Sequence, residues 1–248
     1  PLSSIKGVGD TAMQEIMQNR PYRSLDDLLY DPDGEWRHSK VNKTALRALC
    51  MIEALGSLQE LKDGTIRNHR QLLAILTDDK NYETLRKGKW GLSKAQVKKA
   101  LKDGSRLTTI TNRLIEQYQG LPDWTRGEKI QNYVELTSDA PQDLVFPTGF
   151  VRRVQEKDVP SVFTVPGGSK GVGWFCAAEV QQKATKKGKS FLRIRAVDDS
   201  SNSGWIRVWG KLEQLPEPYS LWIGEVENDA NWGMASTSWK LKQIKAFE

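Results

Sequence analysis

Apolar residues in the first third of the chain recur at the three- and four-residue spacing of a helix. This spacing predicts helices over residues 10–20, 43–55 and 66–76. Pro21 follows the first of these helices and ends it, because proline supplies no N–H and clashes with the preceding turn. The N-terminal part of the chain is therefore expected to be entirely helical.

The next segment is helical in pattern and rich in positive charge. Between Lys80 and Arg113 ten Lys or Arg residues face only two acids. Helices are predicted over residues 93–102 and 108–119, and Ser93 followed by Gln96 has the form of a capping box. We expect a basic helical bridge between two folded parts.

After residue 172 the apolar period changes from that of a helix to the two-residue alternation of strands. The preceding segment, residues 140–171, is broken by prolines and glycines and is predicted to be a linker. Five short strands are typical of an OB-type barrel, so the expected class is α+β. The strands are predicted around residues 174–180, 192–196, 206–208, 221–226 and 239–247. The expected division of the chain is 1–77, 78–139, 140–171 and 172–248.

Composition narrows the classes of function. The 248 residues include 37 Lys and Arg against 31 Asp and Glu, a net charge of +6, which favours a polyanionic partner. No apolar run approaches the ~20 residues that span a bilayer, so no membrane association is expected. The two cysteines and two histidines are isolated, which predicts neither a disulfide framework nor a zinc site and fits a reducing cytosol. Pro1 at the start suggests a fragment of a longer protein.

The segment that opens at Ile5 is the first candidate site. Gly7 and Gly9 flank one apolar residue, so the backbone can turn tightly and approach a partner, and a helix begins directly afterwards. The N–H groups at the start of that helix would face a DNA phosphate without reading sequence, with Lys6 adding charge. An ordinary glycine-rich turn into a helix is the alternative. The candidate residues are Lys6, Gly7, Val8, Gly9, Asp10 and Thr11.

The second candidate site lies on the predicted strands. Alternation sends Leu192, Ile194, Ala196, Ile206 and Val208 inward and leaves an aromatic and basic set on the opposite face. Bases of any sequence stack on such rings while arginines meet phosphates, which predicts binding of single-stranded nucleic acid. The alternative is that these rings pack against the N-terminal part. The candidates are Phe191, Arg193, Arg195, Trp205, Arg207 and Trp209, with Lys186, Lys187 and Lys189 in the adjoining turn.

Three segments together resemble a known family. Residues 4–9, residues 24–28, and residues 40–43 running into 52–58 are similar to the helix-hairpin-helix region of bacterial replicative (family C) DNA polymerase alpha subunits. The resemblance implies a tandem helix-hairpin-helix unit on duplex DNA and an OB domain near the single-stranded template. It also implies primer-template DNA and the remainder of the polymerase as partners, in the cytoplasm of a bacterial or phage-infected cell.

The resemblance also predicts whether catalytic residues, metals and cofactors are expected in this segment. The polymerase palm has no counterpart here, so we expect no catalytic residue, no metal site and no cofactor in this segment; Mg²⁺ would belong to the absent palm. The alternatives are a replication scaffold without DNA contacts and, ranked last, a nuclease or ligase fragment.

The same resemblance implies a sliding-clamp-binding peptide between the two folded parts. The candidate residues are Gln142, Leu144, Val145 and Phe146. An extended peptide bounded by Pro141 and Pro147 could place its apolar side chains in a pocket of the clamp. The alternative is a buried strand that enters the barrel.

Overall fold

The computed structural model describes residues 2–86, 95, 96, 99, 108–210 and 215–245. The predicted helix over 93–102, with its capping box, and part of the basic bridge lie outside the described residues. The chain forms two compact units. The first comprises Pro1–Trp124 and Asn132–Asp139, and the second comprises Thr125–Gln131 and Ala140–Glu248.

The first unit is built from helices. They are α1 (Asp10–Asn19), α2 (Leu25–Leu29), α3 (Lys43–Met51), α4 (Gln59–Lys62), α5 (His69–Thr77), α6 (Asp79–Arg86) and α7 (Thr108–Tyr118), after a 3-10 turn at Leu2–Ser4. Their apolar faces share one core, which includes Leu25, Leu46, Leu58, Leu72 and Ile75. The predicted all-helical N-terminal part is confirmed.

Two of the predicted helices have different ends in the structure. Helix α3 ends at Met51, short of residue 55, because Glu53 takes a left-handed conformation with φ of 56°. Helix α5 begins at His69 and not at residue 66, since the Asn68 side chain accepts a hydrogen bond from the N–H of Gln71 and caps the helix.

The second unit joins helices to a sheet. Its helices are the first half of α8 (Arg126–Thr137), then α9 (Gln142–Val145) and α10 (Thr148–Glu156). The strands are β1 (Ser169–Ala184), β2 (Ser190–Val197), β3 (Ser203–Trp209), β4 (Ser220–Asp229), β5 (Gly233–Thr237) and β6 (Leu241–Gln243), with 3-10 turns at Val162–Thr164 and Ser238–Lys240. Residues 140–171, expected to be a linker, thus contain two helices and the start of β1.

Five strands of the sheet close into a ring. The order is β1-β2-β3-β5-β4, with β4 pairing back to β1, and β6 lies outside the ring on β4. The β3–β5 pair is parallel and the others are antiparallel. The mixed α+β class is confirmed, and the strand order is consistent with an OB-like fold.

The predicted fifth strand is wrong in its position. The fifth strand of the ring is Gly233–Thr237, and only Leu241–Gln243 of the predicted range forms a strand. Strand β5 consists mainly of small residues and lacks the bulky alternation by which strands are recognised. It is a strand because β3 and β4 pair with it on either side. Among the described residues no helix is long and apolar enough to cross a membrane.

Candidate nucleic-acid interface

The hairpin at Ile5–Gly9 is held from beneath by the core of the first unit. Ile5 and Val8 are buried, so the backbone between them is fixed at the surface. Gly7 has φ of +92°, and a Cβ added to it would lie 3.1 Å from Cγ2 of Thr44. The conformation of Gly7 favours glycine, and any larger side chain would also crowd Thr44. The predicted tight turn into a helix is confirmed.

The start of α1 follows this turn directly. Gly9 is the N-cap residue and has no side chain to accept a hydrogen bond from the first turn. Lys6, Asp10 and Thr11 are exposed beside it, and the backbone N–H of Lys6 donates to the Leu136 carbonyl at 2.8 Å. The helix dipole and Lys6 favour an anion here, while the Asp10 carboxylate opposes one. The role of this turn in binding phosphate stays a prediction.

Glu15 anchors α1 to the segment that leads into α3. Its carboxylate accepts hydrogen bonds from the N–H groups of Ser39, Lys40 and Val41 at 2.8–2.9 Å. Burial raises the pKa of Glu15, but these bonds and one from the Ser39 hydroxyl outweigh it and leave the pKa below its ordinary value. The position of the hairpin helix thus depends on an ionised carboxylate.

His38 lies against this carboxylate and makes the first unit sensitive to pH. Its side chain is buried, with Nδ1 3.9 Å from a Glu15 oxygen, and burial lowers its pKa below 6.5 although Glu15 acts in the opposite direction. The unfolded chain then binds a proton more readily than the folded chain, so stability falls as pH drops below about 6.5. Glu15 adds a further loss only below its ordinary pKa of 4.5.

We therefore expect the free energy of unfolding to decline between pH 7 and pH 5, by at most about 1.4 kcal/mol per pH unit. His38→Gln removes the titrating group and should flatten this decline. Urea titrations at several pH values measure both slopes. An unchanged slope in the His38→Gln variant would contradict the assignment.

The second hairpin, residues 52–58, differs from the first. Gly56 does not take a left-handed conformation, and the left-handed residue of this turn is Glu53. Leu55 and Leu58 are buried, and the helix that follows has only four residues. This hairpin has the features of a packing element, and the first N–H of the helix that follows, that of Gln59, already donates to the Arg23 carbonyl at 2.7 Å.

The six predicted residues of strands β2 and β3 form one surface, which we call the platform. Cross-strand register places Phe191 opposite Trp209, Arg193 opposite Arg207 and Arg195 opposite Trp205. The alternate residues Leu192, Ile194, Ala196, Ile206 and Val208 are buried in the core of the second unit. The predicted alternation is confirmed, and the structure brings all six outward residues together.

Cations already lie over the rings of the platform. The Arg193 guanidinium is 4.1 Å from the ring centre of Trp205, and the Lys189 ammonium is 5.0 Å from that of Trp209. Phe191 packs on Trp209 with ring centres 4.9 Å apart. Arg195 is exposed, and Arg193 and Arg207 are half-buried. In the described part of the chain, none of the three arginines forms an ion pair with an acid.

The turn between β1 and β2 carries the predicted lysines. Lys186, Lys187 and Lys189 are exposed around Gly188, which has φ of +80°. Because Phe191 lies just inside β2 next to this turn, the lysines border the end of the platform formed by Phe191 and Trp209. Positive charge therefore extends from the arginines beyond the edge of the sheet.

Trp232 is a candidate that the sequence analysis missed. It lies in the turn between β4 and β5, and 73% of its surface is exposed. Arg207 donates a hydrogen bond to its carbonyl, and the guanidinium lies 5.8 Å from its ring centre. The Asp229 carboxylate holds the turn by accepting from two backbone N–H groups at 2.8 Å. A tryptophan shortly after Asp229 was the available signal in the sequence, but its position could not be predicted without strand β5.

The segment proposed as an extended clamp peptide is not extended. Gln142–Val145 is the short helix α9, and Phe146 is buried with its ring centre 5.9 Å from that of Trp174. Leu144 and Val145 are half-buried. The Gln142 side chain donates to the Asp199 carbonyl at 2.7 Å, and Arg126 donates to the Val145 carbonyl at 2.9 Å. The predicted conformation is wrong because the apolar side chains are used within their own unit.

Comparison with known proteins gives one finding. Residues 1–64, about a quarter of the chain, match a sequence family described as a helix-hairpin-helix motif. This match is consistent with a DNA-binding region in the first unit. No curated protein sequence matches the chain. Across the described residues, no group of three or more His, Cys, Asp or Glu side chains is arranged to hold a metal ion.

Proposed function

We propose that the chain binds DNA without acting on it chemically, with the platform holding a single strand and the first hairpin holding duplex backbone. The observation that carries the proposal is the platform, where three aromatic rings and three arginines share one face. None of those arginines forms an ion pair with a described acid. A surface of this kind suits a polyanion with flat rings.

Physical chemistry favours a single strand on the platform. Stacking on an aromatic side chain contributes about 1–3 kcal/mol per base and tolerates any sequence, because every base has a π-face. In a duplex those faces are covered by neighbouring bases. The arginines and the lysines of the β1–β2 turn would meet the phosphates of the same strand. A protein partner would use the rings but would leave this excess of positive charge uncompensated unless it were acidic.

The first hairpin supports the duplex part of the proposal. The match to a helix-hairpin-helix motif and the uncapped start of α1 beside Lys6 are suited to the sugar-phosphate backbone. Contacts of this type fix position and carry no sequence information. The chain would therefore recognise the form of its DNA and not its sequence.

The finer assignment is to a replicative polymerase. We propose, from the resemblance to family C alpha subunits, that the chain is the part of such an enzyme that follows the palm and holds primer-template DNA during replication. The helix-hairpin-helix match and the OB-like strand order support this proposal, because the two parts follow each other along the chain in the expected order. The complete coding sequence tests it. A palm with paired metal-binding aspartates encoded upstream is the expected result, and its absence would overturn the assignment.

Clamp docking is not part of this proposal. The resemblance implies it, but Phe146 would have to leave its contact with Trp174 and helix α9 would have to open before the segment could enter a pocket of another protein. A replication scaffold that docks partners without contacting DNA is the alternative function.

Equilibrium binding at several salt concentrations tests the proposed function. We expect the chain to bind a labelled single strand, a duplex and a primed template at low salt. The logarithm of the affinity should fall linearly with that of the salt concentration, by about 0.7 per neutralised phosphate on single strands. Lys6→Gln should weaken duplex binding and leave single-strand binding unchanged. Undetectable binding at low salt, or affinity independent of salt, would refute the proposal and favour the scaffold.

A further inference from the structure

We infer that the platform has two separate stacking stations and that its ligand is a single strand of at least three nucleotides, whose backbone crosses Arg193 and Arg207. This inference rests on the proposed function and specifies the ligand of the same site. We define the first station as Phe191 and Trp209 and the second as Trp205.

The separation of the stations follows from strand geometry. Trp205 and Trp209 lie on the same face of one strand, four residues apart. At about 3.4 Å per residue their Cα atoms are about 14 Å from each other. Stacked neighbouring bases are only about 3.4 Å apart, so a stacked pair cannot reach both stations.

A dinucleotide reaches both stations only if it is fully extended and its two bases turn away from each other. In a trinucleotide two linkages share the span, so the terminal bases can reach the stations without full extension. The smallest ligand that uses the whole platform without this strain is thus a trinucleotide, and a mononucleotide can occupy only one station at a time.

The residues between the stations match the part of the ligand that would lie there. Arg193 and Arg207 face each other across β2 and β3, two residues from each end of the Trp205–Trp209 span. They have no acidic partner among the described residues, so their charge is available to the linking phosphates. The two arginines therefore lie where the two linking phosphates of a trinucleotide would cross the platform, between the terminal bases at the stations.

The two stations differ in how a base would be received. At the first, Phe191 and Trp209 form a tilted pair of rings. At the second, the Arg193 guanidinium already covers Trp205 at 4.1 Å, and a base can stack on that guanidinium plane. Because both modes accept any base, the affinity of the platform depends on the length of the strand and not on its sequence.

A length series tests the inference. Affinity is measured by calorimetry for oligothymidylates of two, three, four, six and eight nucleotides, using the full chain and the variants Trp205→Ala and Trp209→Ala. For the unmodified chain we expect a steep rise in affinity between two and four nucleotides, because the second contact becomes intramolecular once the linker spans the gap.

The variants separate two stations from one continuous surface. On the dinucleotide, at least one of the two variants should keep its affinity within about twofold, the statistical factor for losing one of two alternative sites. On the hexanucleotide, each variant should lose about 5-fold to 150-fold, the equivalent of one stacked base. Trp205→Phe and Trp209→Phe keep an aromatic ring and should recover most of the loss, which controls for misfolding.

Two results would overturn the inference. One is an affinity that grows smoothly with length, without a step after the dinucleotide. The other is an equal loss for both alanine variants at every length. If the proposed function itself is wrong, the result differs, since even the octanucleotide would then not bind.

Discussion

Replacing Arg193 and Arg207 together by alanine is expected to lower the affinity for a single-stranded octanucleotide by about 100-fold or more at low salt. A hydrogen bond to a charged group contributes about 1.5–3 kcal/mol, and two are removed. Both side chains also pack on tryptophans, Arg193 on Trp205 and Arg207 on Trp232, so their loss loosens the rings as well. Fluorescence anisotropy over a salt series measures the affinity and its salt dependence.

The salt dependence makes this test specific. Two fewer neutralised phosphates should reduce the slope of log affinity against log salt by about 1.4. The matched control is Arg152→Ala with Arg153→Ala, which removes the same charge from exposed positions on α10. The control should leave affinity and slope close to those of the unmodified chain. If both double variants lost affinity equally, net charge and not the platform would be responsible.

Phe146→Ala is expected to lower the stability of the second unit by about 3–5 kcal/mol. The ring is buried against Trp174 and belongs to the same apolar cluster as Phe150 and Leu221, so its removal leaves a cavity in that cluster. Urea unfolding, monitored through the hydrogen exchange of the β1 amides, measures the loss of stability in this unit separately from the helical unit.

Phe146→Leu is the matched control, since it keeps most of the apolar volume and should cost much less. The same experiment bears on clamp docking. If Phe146→Ala left the stability of the second unit unchanged, the side chain would be free for an external pocket. A large loss of stability would mean that Phe146→Ala cannot be used alone to test clamp binding, and Gln142→Ala, at an exposed position, becomes the variant of choice.

The two candidate sites differed in how far the sequence could define them. At Gly7 the local pattern was sufficient, because two glycines before an amphipathic run already specify a turn into a helix. On β2 and β3 strict alternation assigned each side chain to a face. The register that sets Arg193 beside Arg207 was not in the pattern, since it depends on which strands pair and at which residue.

The wrong predictions for the fifth strand and for the segment at Gln142 have a common physical cause. Strand β5 has no alternation of its own, and it is fixed by backbone hydrogen bonds to β3 and β4, which are distant in sequence. Trp232 was missed with it, because its place beside Arg207 depends on where β5 begins. The segment at Gln142 was assigned from its sequence and its flanking prolines, but neither reports whether Phe146 finds an apolar partner. That partner, Trp174, is 28 residues further along the chain.

The sequence by itself determined the helical first part, the change to strands, the turn at Gly7 and the inward and outward faces of β2 and β3. All of these depend on neighbours within a few residues, where periodicity and backbone preference act directly. Only the tertiary structure decided the closure of β1 onto β4, the place of β5 and Trp232, and the burial of Phe146. Those features depend on contacts between distant segments, which form only when a shared core brings the segments together.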